Sequence, residues 1–142
     1  MSDCVFCKII SGEYSSSKIY EDGSLLAFMD IQPVNAGHLL IVPKKHVELM
    51  ANLDDETSAK MMVLANRVNN ALRLSGVKLE AVNYFLADGE SAGQEVFHTH
   101  LHLIPRFKND GFGLTFPEGY RVNLPAREEL DSIASMVKAA LK

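Results

Sequence analysis

The sequence predicts an α+β protein, in which an antiparallel sheet of about five strands is combined with one long helix and one C-terminal helix. Two observations support this fold class. Several short apolar runs are bounded by glycine, proline or aspartate, as is typical of strands. Two longer segments repeat their apolar residues at helical spacing. Short strands followed or interrupted by few helices favour a sheet that is covered on one face. Since no internal repeat or linker is evident, residues 1–142 are expected to form one domain.

The predicted strands are short, and turn residues separate them. Asp22-Gly23 indicates a hairpin between the first two strands. Pro105 has no N–H for a ladder, so it is expected to end the last strand. Before the sheet, residues 4–11 are expected to form one or two helical turns that stop at Ser11-Gly12. The five strands are Lys18–Glu21, Leu25–Ile31, His38–Pro43, Glu80–Leu86 and the run that begins at His98.

The long helix is predicted over Asp54–Leu74, with Asn52 or Asp54 as its cap. Its apolar face is formed by Met61, Leu64, Ala65, Val68 and Leu72. Three further apolar residues widen this face, namely Met62, Val63 and Ala71. They indicate either a broad core face or a contact with a second subunit. A last helix is predicted over about 125–141, opened by Pro125.

Composition excludes several classes of protein. The chain has a net charge of −4 and no stripe of lysine and arginine, so broad affinity for nucleic acid is not expected. No apolar run approaches the roughly 20 residues that span a bilayer. Because the first residues carry neither a basic region nor a long apolar segment, they do not resemble a secretory signal. The expected location is therefore the cytoplasm.

Three of the five histidines, His98, His100 and His102, occupy alternate positions. On a strand, alternate side chains share one face and lie about 6.6 Å apart. Two neighbouring rings can bind one metal ion, but all three cannot easily do so. At least one neutral imidazole then remains as a proton carrier or nucleophile. The alternative is that the three histidines are ordinary polar side chains on an open face of the sheet. This alternative is disfavoured because the three rings would repel one another when protonated.

The two cysteines, Cys4 and Cys7, allow several interpretations. A disulfide is disfavoured in the cytoplasm. A thioredoxin-like redox pair normally follows a strand, and three residues leave no room for one. Half of a zinc site would need two further ligands, and histidines are available. Unpaired structural thiols remain the alternative.

The motif His-Thr-His-Leu-His-Leu-Ile resembles the signature of the histidine triad (HIT) nucleotide-binding family, with Thr99 as a mild departure. Further matching segments are 28–31, 37–46, 92–94 and 110–113. The resemblance covers roughly residues 4–113. Within this family the chain is similar to the Hint-like bacterial and archaeal branch, whose members have an N-terminal Cys-x-x-Cys. The resemblance implies the HIT fold and a homodimer.

The resemblance implies a nucleotide hydrolase or transferase that acts at the α-phosphate. His100 would attack phosphorus to form a nucleotidyl-histidine, and water would then release a nucleoside monophosphate. His102 and His38 would stabilise the phosphoryl oxygens, with no catalytic metal required. A histidine at the third triad position favours hydrolysis over sugar-nucleotide transfer. The implied substrates are purine nucleoside phosphoramidates or dinucleoside polyphosphates, with adenosine as the expected nucleoside.

The implied nucleotide site combines apolar and polar residues. Asp30 would bind the ribose hydroxyls, although taken alone it could equally cap a loop. The apolar members would each, taken alone, more often be core. Together with His100 and His102, the implied nucleotide-binding residues are Val5, Phe6, Ile9, Phe28, Asp30, Ile31, Gly93, Gln94 and Glu95.

The resemblance also implies a structural zinc ion bound by Cys4, Cys7, His46 and His98. Two positions depart from the family pattern. Ala87 replaces an Asn or Gln, and Glu95 replaces a Ser or Thr near the leaving group. A carboxylate at position 95 is expected to disfavour leaving groups with extra negative charge, unless it only extends into solvent. Two rival functions are a catalytic zinc hydrolase and a non-catalytic nucleotide-binding module.

Overall fold

The computed structural model describes residues 3–142, which divide into two compact units on either side of the Gly111–Phe112 bond. The first unit holds a five-stranded sheet with the order β1-β2-β3-β5-β4, and every neighbouring pair is antiparallel. The strands are β1 (Lys18–Glu21), β2 (Leu25–Met29), β3 (Leu39–Pro43), β4 (Ala81–Phe85) and β5 (Leu101–Arg106). The predicted α+β fold is confirmed.

Two helices accompany the sheet in the first unit. The short helix α1 (Val5–Ser11) begins where Cys4 Sγ accepts the Cys7 N–H at 3.4 Å, and it ends at Gly12 with a φ of 83°. The long helix α2 (Asp55–Leu74) is capped by Asp54, which accepts the Thr57 N–H at 2.8 Å. Of the two predicted caps, the structure therefore selects Asp54.

The central strands are buried on both faces. One core cluster joins α2 to residues such as Leu39 and Ile41, and the five predicted core residues of α2 all belong to it. Alternate residues of the same strands form a second cluster with Phe6 of α1. The expectation of a sheet covered on one face was therefore wrong. The cause is visible in the sequence, since β2 and β3 are continuous apolar runs, which is typical of strands buried on both sides.

The apolar residues that widen the face of α2 do not reach this core. Met62 is 49% exposed and Val63 is 61% exposed, and Ala71 is exposed as well. Of the two interpretations of this wider face, a broad core face is excluded.

Strand β5 begins later than predicted. His98, Thr99 and His100 precede its first residue, Leu101. The Pro43 carbonyl, where β3 ends, accepts the His98 ring N–H at 2.7 Å instead of a strand N–H. The Thr99 N–H accordingly donates to the Val47 carbonyl at 2.7 Å. The His98 side chain thus occupies the Pro43 carbonyl, which a longer β3–β5 ladder would need as a hydrogen-bond acceptor.

The expectation that Pro105 ends the strand was also wrong. Pro105 lies within β5 opposite Val82 of β4. The last pair on the β3 side is Leu39 with Leu103, and beyond it the Pro105 carbonyl accepts the Asn35 side-chain amide at 2.8 Å. The missing N–H is therefore tolerated because the ladder on that side has already ended.

The second unit contains helix α3 (Arg127–Ala140), close to its predicted bounds. Its predicted apolar stripe is exposed in this chain, with Val137 64% exposed and Leu141 79% exposed. Among the residues described, no helix combines the length and apolar character needed to cross a membrane. The prediction of one domain over residues 1–142 stays a prediction.

Candidate active site

A cavity of about 510 Å³ opens between α1 and the sheet. The structure brings almost all of the predicted catalytic and nucleotide-binding residues to its walls. These are Val5, Phe6, Ile9, Phe28, Asp30, Ile31, His38, Gly93, Glu95, His100 and His102. The cavity has an apolar side built from α1 and β2 and a polar side built from histidines and Asp30. This division suits a ligand with an aromatic part and an anionic part.

The apolar wall centres on Phe6, whose side chain is buried. Its ring meets that of Phe28 edge-on at 5.7 Å and that of His100 at 5.0 Å between centroids. Ile31, in contrast, is 95% exposed and stands at the rim. Sequence reasoning missed several lining residues, namely Tyr14, Ser15, Ser16, Met29, Gln32, Leu40, Phe85 and Val96. Phe85 reaches the cavity because it lies opposite His102 in the β4–β5 register, which the sequence alone does not specify.

The backbone carbonyl of His98 holds the His100 ring in one tautomer. Its Nδ1 lies 2.7 Å from the His98 carbonyl oxygen. A carbonyl only accepts hydrogen bonds, so Nδ1 carries the proton and Nε2 keeps its lone pair. The residue is only 8% exposed, yet it lines the cavity. His100 therefore has an unprotonated ring nitrogen, which is the form that a nucleophilic imidazole requires.

A chain of hydrogen bonds fixes the other two cavity histidines. The Val34 N–H donates to His38 Nδ1 at 3.0 Å, so the His38 proton resides on Nε2. That nitrogen donates to His102 Nδ1 at 2.8 Å. His102 must then carry its own proton on Nε2. It is left as a hydrogen-bond donor whose ring centroid lies 5.0 Å from that of His100.

The Asp30 side chain accepts a hydrogen bond from the following loop and also lines the cavity. Its Oδ1 accepts the Gln32 N–H at 2.8 Å, and its Oδ2 lies 3.4 Å from His38 Nε2. Asp30, His38 and His102 are close enough together to suggest a second metal site. These three residues do not fit a metal site. If a metal bound His38 Nε2, the ring proton would move to Nδ1 and face the Val34 N–H, which is also a donor. The only alternative would be an imidazolate. The cluster is a hydrogen-bond relay.

Burial keeps these imidazoles neutral. It lowers the pKa of His38, His98 and His100 below the ordinary value. The pKa of His102 falls from 6.5 to about 4, first through burial and then through the neighbouring His100 and His38 rings. Near neutral pH the pocket thus holds uncharged rings, which is the form required of a nucleophile.

The four predicted zinc ligands lie together at the start of α1. His46 Nδ1 is 3.3 Å from Cys7 Sγ, and His98 Nδ1 is 3.5 Å from Cys4 Sγ. The four ligand atoms all lie within 4.8 Å of one another. His98 donates its Nε2–H to the Pro43 carbonyl, so the nitrogen that faces the cysteines is the unprotonated one. Both cysteines are free thiols, as this site requires.

Two thiolates and two imidazoles form the closed ligand set of structural zinc. When bound, the metal would supply a cross-link between α1 and the segment that leads into His100. Burial, followed by the neighbouring Cys4, raises the pKa of the Cys7 thiol, so binding of the metal must displace a proton.

Gln94 is the predicted nucleotide-binding residue that does not line the cavity. Its side chain is buried and fully occupied by the backbone. The amide donates to the Glu48 carbonyl at 2.7 Å and to the Val96 carbonyl at 3.0 Å, while its oxygen accepts the Gly89 N–H at 2.8 Å. Gln94 therefore holds the loop before the triad in place.

We expect the acid stability of the fold to depend on His102. In the unfolded chain His102 takes up a proton near pH 6.5, whereas the folded residue does so only near pH 4. Its contribution is complete above pH 6.5 and is lost as the pH falls towards 4. Denaturant unfolding measures this effect. Between pH 6.5 and 4, the free energy of unfolding should decrease less for His102→Gln than for the wild type. Parallel losses would contradict the prediction.

We expect one zinc ion per chain. Cys7→Ser should reduce the zinc content and lower the Tm, because the binding free energy of a structural metal is folding free energy. Elemental analysis and thermal unfolding measure both effects. Ser11→Ala, one turn further along α1, should keep its zinc. Wild-type protein that is free of metal when purified without chelator would contradict the prediction.

Comparison with known proteins agrees with this geometry. The family model described as the HIT domain matches residues 11–109. A protein of Borreliella burgdorferi described as an uncharacterized HIT-like protein is 49% identical over 125 residues, which is 87% of this chain and 88% of the relative. Adenylylsulfatase HINT3 of Arabidopsis thaliana is 38% identical over 109 residues, 77% of this chain and 55% of the relative.

Solved structures share the fold. A HIT family protein of Bacillus anthracis superposes with a TM-score of 0.89 at 40% identity and covers 99% of this chain and 98% of its own. A zinc-bound histidine triad family protein of Mycobacterium smegmatis gives a TM-score of 0.75 at 35% identity, with 99% of both chains covered. This chain belongs to the HIT domain family.

Proposed function

We propose that this protein is a nucleotide hydrolase that acts at the α-phosphate through a covalent nucleotidyl-His100 intermediate. One observation carries the proposal. In a single cavity, His100 presents a ring nitrogen without a proton beside His102, which presents a ring nitrogen with one. This arrangement of protons supports His100 as the nucleophile and His102 as the hydrogen-bond donor.

The reaction would proceed in two steps. His100 Nε2 forms a bond to phosphorus as the bond from phosphorus to the leaving group breaks. The departing atom takes a proton, and the Nε2–H of His102 would donate towards the phosphoryl oxygens or that atom. Water then attacks phosphorus, the P–N bond breaks, and a nucleoside monophosphate leaves.

The walls support a nucleoside as the bound group. The base would lie against Phe6, Ile9 and Phe28, and the second oxygen of Asp30 would accept a ribose hydroxyl. Purine substrates, most simply those of adenosine, suit the broad apolar wall. The candidate substrates are adenosine phosphoramidates and dinucleoside polyphosphates, and the proposed location is the cytoplasm.

The two rival functions receive less support. In the zinc cluster all four ligands come from the protein, so no position is left for the water that a catalytic zinc hydrolase needs. A non-catalytic nucleotide-binding module would have no need of a fixed tautomer at His100. Binding without turnover of any nucleotide would nevertheless favour that module.

We expect His100→Ala to abolish turnover while the fold and its zinc persist. The loss should reach several orders of magnitude, since a covalent route disappears. His102→Ala serves as the graded control and should lose about 10²–10³ in rate, as for one hydrogen-bond donor. Single-turnover kinetics on an adenosine phosphoramidate measure both effects. Quenched wild-type samples should contain a nucleotidyl group on His100, and a near-normal rate for His100→Ala would contradict the covalent scheme.

We also propose a homodimer, because apolar surface remains on the sheet and on α2. Met62 and Val63 are exposed, and β4 is an edge strand whose Phe85 is 43% exposed. Such surfaces favour pairing with another copy. Sedimentation at micromolar concentration should give about twice 15.7 kDa. Met62→Lys should weaken the association, and a monomer for the wild type would contradict the proposal.

A further inference from the structure

One hydroxyl at the wall of the active-site cavity is buried without a hydrogen-bond partner. Ser16 lines the cavity, and its Oγ is buried and has no partner in the part of the chain that the structure describes. A buried hydroxyl that makes no hydrogen bond costs free energy, so most such groups in proteins are paired. No step of the proposed reaction uses this hydroxyl. It is therefore available for a contact that forms only when a ligand is bound.

The loop that carries Ser16 is held at both ends. The Tyr14 N–H donates to the Lys8 carbonyl of α1 at 3.1 Å. On the other side, the Ser17 carbonyl accepts the Met29 N–H of β2 at 2.9 Å. Because each bond joins the loop to a regular element, the backbone at Ser16 is positioned before a ligand arrives.

Ser16 lies at the end of the cavity that is remote from the triad. Across the sheet, His102 of β5 is opposite Leu40 of β3, which in turn is opposite Phe28 of β2. Phe28 is opposite Lys18 of β1, and Ser16 precedes Lys18 by two residues. Neighbouring strands lie about 4.8 Å apart, so β1 is about 14 Å from His102. A nucleotide whose α-phosphate lies at the histidines would therefore direct its base towards Ser16.

The wall proposed for the base is apolar except at this end. The aromatic and aliphatic side chains of α1 and β2 offer no hydrogen bond, whereas Tyr14 and Ser15 line the cavity beside Ser16 and also carry hydroxyls. An apolar wall alone binds a purine and an apolar ring of the same shape with similar affinity. A site that hydrogen-bonds a polar atom of its ligand, in contrast, rejects an analogue that lacks the atom.

We propose that Ser16 is a specificity-determining residue whose hydroxyl forms a hydrogen bond with the outer edge of a purine base, at ring nitrogen N1 or the adjacent exocyclic group. This inference rests on the proposed function, from which it takes the nucleoside site. Rotation about the Cα–Cβ bond would turn Oγ into the cavity. Since a hydroxyl both donates and accepts, it would serve adenine and hypoxanthine alike. Ser16 would thus select purines over apolar rings, and not one purine over another.

Two stable ligands test the proposal. They are adenosine 5′-monophosphate (AMP) and the 5′-monophosphate of benzimidazole riboside, whose base has the shape of a purine but neither a nitrogen in its six-membered ring nor an exocyclic amine. Isothermal titration calorimetry gives the Kd of each ligand. The measured quantity is the ratio of the Kd for the benzimidazole compound to the Kd for AMP. Because neither ligand has a leaving group on its phosphate, hydrolysis does not interfere.

Hydroxyl variants locate the effect. Ser16→Ala should lower the ratio about three- to ten-fold through weaker binding of AMP, as for one hydrogen bond between uncharged groups. Its Tm should not fall below that of the wild type, because Oγ has no partner to lose within the described chain. Ser17→Ala is the matched control. It removes the same hydroxyl from a neighbouring side chain that does not line the cavity, so it should leave the ratio unchanged.

Each other result contradicts a different statement. If AMP binds the wild type and Ser16→Ala with the same Kd, this inference is wrong and the proposed function stands. Equal weakening of both ligands, or a lower Tm for Ser16→Ala, would assign Ser16 to the fold or to the ribose phosphate and would overturn its role at the base. A wild type that binds no purine nucleoside monophosphate would overturn the proposed function and this inference together.

Discussion

The geometry of the candidate active site depends on hydrogen bonds between histidine rings and the backbone. The His98 carbonyl fixes the proton of His100 on Nδ1, and the Val34 N–H fixes that of His38 on Nε2. A neutral imidazole has one donor and one acceptor, so each such bond also determines what the opposite nitrogen can do. The backbone thereby assigns a lone pair to one ring and, through His38, a proton to His102.

The same principle links the zinc cluster to the sheet. The Pro43 carbonyl accepts the His98 ring N–H, which turns the unprotonated nitrogen towards Cys4 and Cys7. This bond also removes the carbonyl from the β3–β5 ladder, so β5 starts only at Leu101. The irregular backbone before β5 is therefore a consequence of this bond, and His100, which lies in that irregular segment, lines the cavity.

Local patterns single out part of the candidate site. The spacing of Cys4 and Cys7 and the alternation of the histidines are short-range features of the sequence, whereas the full zinc ligand set and the nucleotide-binding residues follow from the resemblance to the histidine triad family. Gln94 shows the limit of such reasoning. Its position before the triad predicted a ligand contact, but whether an amide meets a ligand or a backbone carbonyl depends on the chain at Glu48, far away in sequence.

The sequence by itself determined the elements of the fold and the chemical groups of the site, because apolar periodicity, caps and residue types act over a few positions. Tertiary structure alone decided that Pro105 stays within β5 and which nitrogen of each histidine carries the proton. These properties depend on partners distant in the chain. A ring nitrogen acquires its role only when a particular carbonyl or N–H from another segment lies within hydrogen-bonding distance, and no pattern within a single segment specifies that distance.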